Sequence, residues 1–149
     1  AEAQAKAGKV AEALGTAREI KDEFWRAEAL AGIAEAQAKA GDRKGAEAAL
    51  AEALGTAREI KGESWRASAL AGIAEAQAKA GKVAEALGTA RGIKDEFRRA
   101  RVLAGVAEAQ AEAGKVAEAL GTAREIKGES WRAWALAGIA AILAEKGLK

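Results

Sequence analysis

The sequence has no cysteine, histidine or tyrosine among its 149 residues. Without cysteine it has no disulfide framework. The absence of all three also removes the side chains that most often serve as nucleophiles or as acids and bases near neutral pH. The remaining hydroxyls of Ser64, Ser68 and Ser130 have no base partner other than lysine or a carboxylate, so we interpret them as helix-capping or exposed residues. We predict a non-enzyme with no catalytic, cofactor-binding or metal site.

Proline and methionine are also absent, and aromatic residues make up only 4% of the chain. Half of the residues are hydrophobic, but most of these are alanine, the strongest helix former. So few large side chains cannot fill a thick core, whereas helices lined with alanine can approach closely. We therefore predict an all-α fold.

No strong excess of charge and no long apolar run is present. Charged residues make up 31% of the sequence, the net charge is +2, and the two signs alternate, so no basic face is indicated. We predict that the chain binds neither nucleic acid nor a membrane, and we expect a soluble, cytoplasmic protein, although nothing in the sequence identifies a compartment. Because the chain begins inside a repeat without methionine, we expect a piece of a longer protein.

What the sequence does have is an internal repeat. The string AEAQAKAG starts at Ala1, Ala34 and Ala74, and related strings start at Ala107 and Ala140, so the usual offset is 33 residues. One offset is 40, because seven extra residues follow Gly41; two helical turns of this length keep an apolar face aligned, which predicts a lengthened helix. We divide the single domain 1–149 into a partial unit 1–24, units 25–64, 65–97 and 98–130, and a terminal helix 131–149.

Each unit resolves into two helices, called helix A and helix B. Apolar spacings of three and four predict helix A over Trp25–Ala40 and helix B over Lys9–Lys21 in the first copies. Recurrent glycines inside both helices are expected to mark close contacts between neighbouring helices. Helix A should end at Gly8, Gly41, Gly81 and Gly114, and the expected N-caps are Asp22, Asp95, Ser64 and Ser130.

This pattern resembles the tetratricopeptide repeat. The segment 78–87, AKAGKVAEAL, has the family's glycine at the turn, followed by a bulky residue and then a small one. Residues on the family's core positions are Leu70, Ile73, Ala74, Ala86, Ala90 and Ile93, whereas Gln77 replaces its usual aromatic residue and no proline closes the unit. The resemblance implies an α-solenoid of stacked antiparallel helix pairs that forms a right-handed superhelix, with helix A on the concave face.

A candidate binding row follows from the position at which the copies differ most. It carries Glu28, Ser68, Arg101 and Trp134 in successive units, and the resemblance places it on the concave face. The pairs Glu35/Lys39 and Glu75/Lys79 are interpreted as salt-bridged helix faces or as the polar floor of the same groove, which Glu108 and Glu112 make locally acidic. Alanines at a neighbouring position, expected in the groove, argue against base recognition: Ala31, Ala71, Ala104 and Ala137.

The last helix is more apolar than its counterparts. Trp134, Ile142 and Leu143 predict a self-association surface, although a terminal repeat normally ends in a polar face. The sequence thus predicts a non-catalytic scaffold that binds a protein or peptide along the concave face. The alternative is a structural, self-assembling repeat or an engineered consensus-like scaffold that forms homo-oligomers through the terminal helix.

Overall fold

A computed structural model describes residues 2–148, with side chains from residue 7 onward. Within this range every regular element is an α-helix, which confirms the predicted all-α class. The eight helices are α1 (Glu2–Arg18), α2 (Glu23–Lys39), α3 (Arg43–Arg58), α4 (Glu63–Lys79), α5 (Val83–Arg91), α6 (Glu96–Glu112), α7 (Val116–Arg124) and α8 (Glu129–Leu148).

The helices form pairs that repeat along the chain. Helices α2, α4, α6 and α8 are the A helices, and each packs against the next. Helices α3, α5 and α7 are B helices, and each contacts the A helix before it and the A helix after it. No Cα atom of α3, α5 or α7 lies within 8 Å of another of these three helices. The A helices therefore form a continuous row, and the B helices lie apart on its other side.

Glycine ends three of the A helices by the same turn. Gly41, Gly81 and Gly114 have φ angles of 88°, 82° and 83°, which disfavour any residue with a Cβ. After α2, the Asp42 amide donates to the Gln37 carbonyl oxygen at 2.9 Å, and the Gly41 amide donates to Ala38. This is a Schellman motif, and it confirms these three predicted helix ends.

Gly8 does not end a helix, so that prediction was wrong. Helix α1 continues through it from Glu2 to Arg18, and Gly8 does not have a positive φ. A Schellman turn is stabilised when the next helix packs back on the one before it. In the described part of the chain no separate helix lies before Gly8 for such packing, so continuing the helix satisfies more backbone hydrogen bonds.

The seven extra residues lengthen a helix, as predicted. Helix α3 has 16 residues, whereas its counterparts α5 and α7 have nine each. Its buried positions keep one apolar face along the whole length: Ala46, Ala49, Leu50, Ala53, Thr56 and Ala57. The insertion therefore extends the contact with α2 without adding a loop.

Two of the four predicted N-caps are confirmed and two were wrong. The carboxylates of Asp22 and Asp95 accept hydrogen bonds from the Trp25 and Arg98 amides at 3.0 and 2.9 Å. Ser64 lies inside α4, whose N-cap is Gly62 and has no side-chain hydrogen bond. Ser130 likewise lies inside α8, which begins at Glu129. The helices start at the same place in every unit, and in these two units glycine occupies the capping position.

The core consists of alanines around single branched residues. The largest fully buried side chains include Leu30, Ile73, Leu103 and Ile139, and the alanines between them bring the helix backbones together. All six residues assigned to core positions through the family resemblance are buried: Leu70, Ile73, Ala74, Ala86, Ala90 and Ile93.

Candidate binding surface

The predicted variable row lies at one level of the A helices. Glu28, Ser68, Arg101 and Trp134 each occupy the sixth residue of their helix, and the four helices pack in sequence order. Ser68 is half-buried, whereas the other three side chains are exposed. The structure therefore brings this row together on the face formed by α2, α4, α6 and α8.

The carboxylate of Glu28 lies near enough to two further carboxylates, Glu35 of α2 and Glu75 of α4, to be affected by their charge. Burial raises the pKa of Glu28, and repulsion from Glu35 and Glu75 raises this pKa further. Glu28 forms no ion pair within 4.0 Å with any side chain that the structure describes. A cationic group placed between these carboxylates would relieve their repulsion, so the site favours a positively charged ligand group.

The expected salt bridges along single helices do not form. Neither Glu35/Lys39 nor Glu75/Lys79 is within 4.0 Å in the described part of the chain. Described ion pairs between units instead join Arg18 to Glu52 at 2.8 Å and Arg91 to Glu125 at 2.7 Å. Exposed lysines gain little from a fixed contact with a neighbouring carboxylate, because holding a long side chain costs entropy. Lys39 and Lys79 instead line a cleft of about 380 Å³ between the first two full units.

Glu108 and Glu112 extend the acidic character along α6. Glu108 is half-buried and reaches the next helix, because a Cβ added at Gly138 would lie 2.5 Å from its Oε1 atom. Glu28 makes the same kind of approach to Gly72, at 3.3 Å. These two glycines allow a carboxylate to lie across the neighbouring A helix.

Most other glycines inside the helices do not mark close contacts, contrary to expectation. A Cβ added to any of them would meet nothing within 4 Å: Gly15, Gly32, Gly55, Gly88, Gly105 and Gly121. Their positions are open to solvent, so packing does not explain them. Two of them, Gly32 and Gly105, share the variable face, where they leave the helix backbone uncovered.

A group of aromatic side chains lies at one end of the A helices, and of these only Trp134 was assigned from the sequence. Phe24 contacts Trp25 and Trp65 edge to face, with ring centroids 5.1 and 4.9 Å apart. Trp131 contacts Phe97 and Trp134 in the same way, at 4.7 and 5.5 Å. More than half of each of these side chains is exposed: Trp25, Trp65, Phe97 and Trp134. The recurrence of tryptophan before arginine in the repeat is the signal that could have identified this edge.

The arginine at the second position of this pair, which is Arg-Arg in the unit 98–130, has a structural role that was not identified from the sequence. In every unit its Nη1 atom donates to the carbonyl oxygen of the isoleucine six residues earlier, at 2.6 to 2.8 Å. The donors are Arg26, Arg66, Arg99 and Arg132. Each places a positive charge at the C-terminal end of the preceding B helix, which stabilises that helix.

The buried glutamines hold helix A to helix B. Gln77 Oε1 accepts a hydrogen bond from the Thr89 hydroxyl at 2.7 Å, and Gln110 accepts one from Thr122 at the same distance. The side chains of Gln77 and Gln110 are almost fully buried. Polar glutamine thus replaces the family's aromatic residue without leaving these amide oxygens unpaired.

The alanines expected in the groove lie elsewhere. Ala31 and Ala104 are buried in the core, Ala71 packs partly against it, and Ala137 is exposed on α8. Ala31 and Ala104 are therefore not residues that a ligand would meet on the face of the A helices, whereas Ala137 is accessible. The positions of these alanines therefore do not bear on base recognition, and the absence of nucleic-acid binding stays a prediction.

The three residues predicted for self-association do not share one face of α8. Trp134 and Leu143 are nine residues apart, which corresponds to about 180° around a helix. Trp134 belongs to the variable row, Ile142 packs partly against the core, and Leu143 is 38% exposed on the opposite side. Leu143 instead shares a face with Leu136, which is 36% exposed.

No family model, curated protein or solved structure matches this chain. The surface must therefore be interpreted from its own geometry. Among the described residues, no three acidic side chains are grouped so that they could hold a metal ion. None of the described helices is both long enough and apolar enough to cross a membrane.

Proposed function

We propose that the chain is a non-catalytic scaffold that binds an extended, positively charged peptide along α2, α4, α6 and α8. The observation that carries this proposal is the alignment of Glu28, Ser68, Arg101 and Trp134 at one level of four packed helices. A row of this kind offers a different side chain at each step to a ligand that crosses the helices.

The overall arrangement included in this proposal is a right-handed, tetratricopeptide-like solenoid of antiparallel helix pairs. Two features support the antiparallel pairs and the concave face, whereas the right-handed twist is proposed from the family resemblance alone. Turns of three or four residues join consecutive helices that contact each other, which favours antiparallel pairs. The A helices contact one another whereas α3, α5 and α7 do not, so the stack bends toward the A helices and makes their face concave.

The charge on this face supports a cationic ligand. Glu28, Glu35 and Glu75 lie close enough to raise the Glu28 pKa, and Glu108 and Glu112 continue the acidic surface on α6. At the far end, the exposed ring of Trp134 offers an apolar or cation–π contact. A peptide that presents lysines or arginines to these carboxylates, an acidic or polar residue to the exposed Arg101 and an apolar residue to Trp134 matches this order of groups.

The test is fluorescence anisotropy of a labelled, lysine-rich peptide titrated with the protein. Glu28→Gln/Glu75→Gln should weaken binding about tenfold or more, since it removes two charges from the face. Glu85→Gln is the matched control: Glu85 is exposed on the B helix α5, so its loss should change affinity less than twofold, as expected for a distant charge. Equal losses in both variants, or no binding of basic peptides, would refute the proposal.

A second candidate function is self-association through α8, and one observation favours it. Its Leu136 and Leu143 are more than one third exposed, whereas the residues at the same positions in α6, Leu103 and Gln110, are 2% and 4% exposed. Apolar surface of this kind commonly marks an interface. Sedimentation velocity across a concentration series tests this candidate, which predicts a rising mean mass.

A further inference from the structure

Helix α8 leaves uncovered the face that α6 buries. In α6 this face is covered by α7 and α8, and its residue Gln110 is hydrogen-bonded to α7. On α8 the same face consists of Leu136, Ala140 and Leu143. These residues occupy the positions that Leu103, Ala107 and Gln110 have in α6. All three α6 residues are buried, and all three α8 residues are exposed. Covering α8 therefore requires one B helix and one further A helix.

Helices α1 and α2 leave the matching faces uncovered. Thr16 of α1 is exposed, whereas Thr122 at the same position of α7 is 3% exposed and hydrogen-bonded to α6. Ala36 of α2 is exposed, whereas its counterpart Ile142 of α8 packs partly against the core. Thus α1, whose residues 10–18 align with the B helix α7, and the A helix α2 each expose a face that the corresponding helix of a later unit buries.

We propose that α1 and α2 of a second copy cover α8 in the way in which α7 and α8 cover α6. This inference rests on the second candidate function, which is self-association through α8. It adds which surface of the second copy binds α8 and in which direction the copies stack. Thr16 of the second copy then faces Leu143, where Thr122 faces Gln110 within the chain. The substitution of glutamine by leucine fits, because the Thr16 hydroxyl already donates to the Glu12 carbonyl oxygen at 2.9 Å and needs no further partner.

The assembly is heterologous, since two different surfaces meet. Each bound copy presents a free α8 at one end and a free α1–α2 surface at the other, so growth continues beyond a dimer. A contact between two α8 helices would instead be isologous and would stop at the dimer. The two arrangements therefore predict different behaviour when each surface is blocked separately.

The test uses two blocked variants of the whole chain in sedimentation velocity. Ala140→Glu/Leu143→Glu places charges on α8, and Thr16→Glu/Ala36→Glu places charges on α1 and α2. All four positions are exposed, so both variants should keep the helical content of the unmodified chain, as checked by circular dichroism. We expect the unmodified chain to grow with concentration, each variant alone to stay monomeric, and their equimolar mixture to form a heterodimer through its one intact pair of surfaces.

Two matched controls separate charge from position. Ala11→Glu lies on α1 at a position that is exposed in every B helix, and Ala141→Glu restores the glutamate that the other A helices carry there. Both should assemble like the unmodified chain. If Thr16→Glu/Ala36→Glu still self-associates while the α8 variant does not, α8 binds another surface: the second candidate function stands and this inference fails. A monomeric unmodified chain at all concentrations would overturn both.

Discussion

Replacing buried glutamine with leucine should have opposite effects in two units of the same chain. Gln77 and Gln37 occupy equivalent positions and are each 5% exposed. Gln77 Oε1 accepts a hydrogen bond from Thr89, twelve residues later. Twelve residues after Gln37 stands Ala49, because the seven-residue insertion moves the threonine to position 56. Gln37 Oε1 consequently has no hydrogen-bond partner among the described residues, and Thr56 donates to the Glu52 carbonyl instead.

The expected magnitudes follow from these two environments. Gln77→Leu removes a buried hydrogen bond and should lower the free energy of unfolding by about 1 kcal/mol. Gln37→Leu removes an unpaired buried amide oxygen and only a long contact, 3.4 Å, between its Nε2 and Asp42. It should raise the free energy of unfolding by about 1 kcal/mol, so the two variants should differ by about 2 kcal/mol.

Guanidinium unfolding followed by far-ultraviolet circular dichroism measures this difference. Gln110→Leu should behave like Gln77→Leu, since Gln110 has the same bond to Thr122. Gln77→Leu/Thr89→Val, which makes both partners apolar, should recover most of the loss. Equal effects at positions 37 and 77 would refute the reasoning that the insertion leaves Gln37 unpaired.

Three further substitutions test other parts of the structure. Gly121→Ala should raise the free energy of unfolding by about 1 kcal/mol in the same assay, because its Cβ meets nothing within 4 Å and alanine is the better helix former; a loss would show that the glycine is needed. Gly62→Asp should raise the free energy of unfolding by roughly 0.5–1 kcal/mol, since Gly62 has the backbone angles (−73°, 122°) of the N-cap Asp22 (−69°, 120°). The new Cβ would lie 3.2 Å from Cδ1 of Trp65, an exposed ring that has room to shift; no gain would contradict the capping assignment. Glu28→Gln should raise the melting temperature at neutral pH, because the raised pKa of Glu28 means that its charged form opposes folding. This loss of stability develops as the pH rises through the folded-state pKa of Glu28. The difference between the variant and the unmodified chain should therefore vanish at about pH 3, where the carboxyl is protonated in both states. A pH-independent effect would contradict it.

Helix positions were predictable because they depend on local periodicity and turn chemistry. Gly81 and the spacing of Leu70, Ile73 and Ala74 were sufficient to locate a turn and a buried face. The same rule wrongly predicted a helix end at Gly8. The sequence around Gly8 matches the other copies, but the packing that stabilises the turn in those copies is absent there. The N-caps failed where Gly62 and Gly128, rather than serine, stand at the fixed start of the helix.

The surface was harder to predict than the helices. Variation among copies identified Glu28 and Trp134 as one row, but not the crowding of Glu28 with Glu75, which depends on how α2 packs against α4. The pairing of Gln77 with Thr89 was missed, since a contact between two helices is not visible in the periodicity of either one. The faces of α8 could have been separated from the spacing of Trp134 and Leu143 alone.

The central claim is that the face of the A helices binds the ligand. Hydrogen–deuterium exchange of the protein with and without a saturating lysine-rich peptide tests it most directly. Added protection in α2, α4, α6 and α8, strongest around Glu28 and Glu75, is the predicted result. Added protection confined to α3, α5 and α7, or none anywhere with the peptide bound, would contradict it.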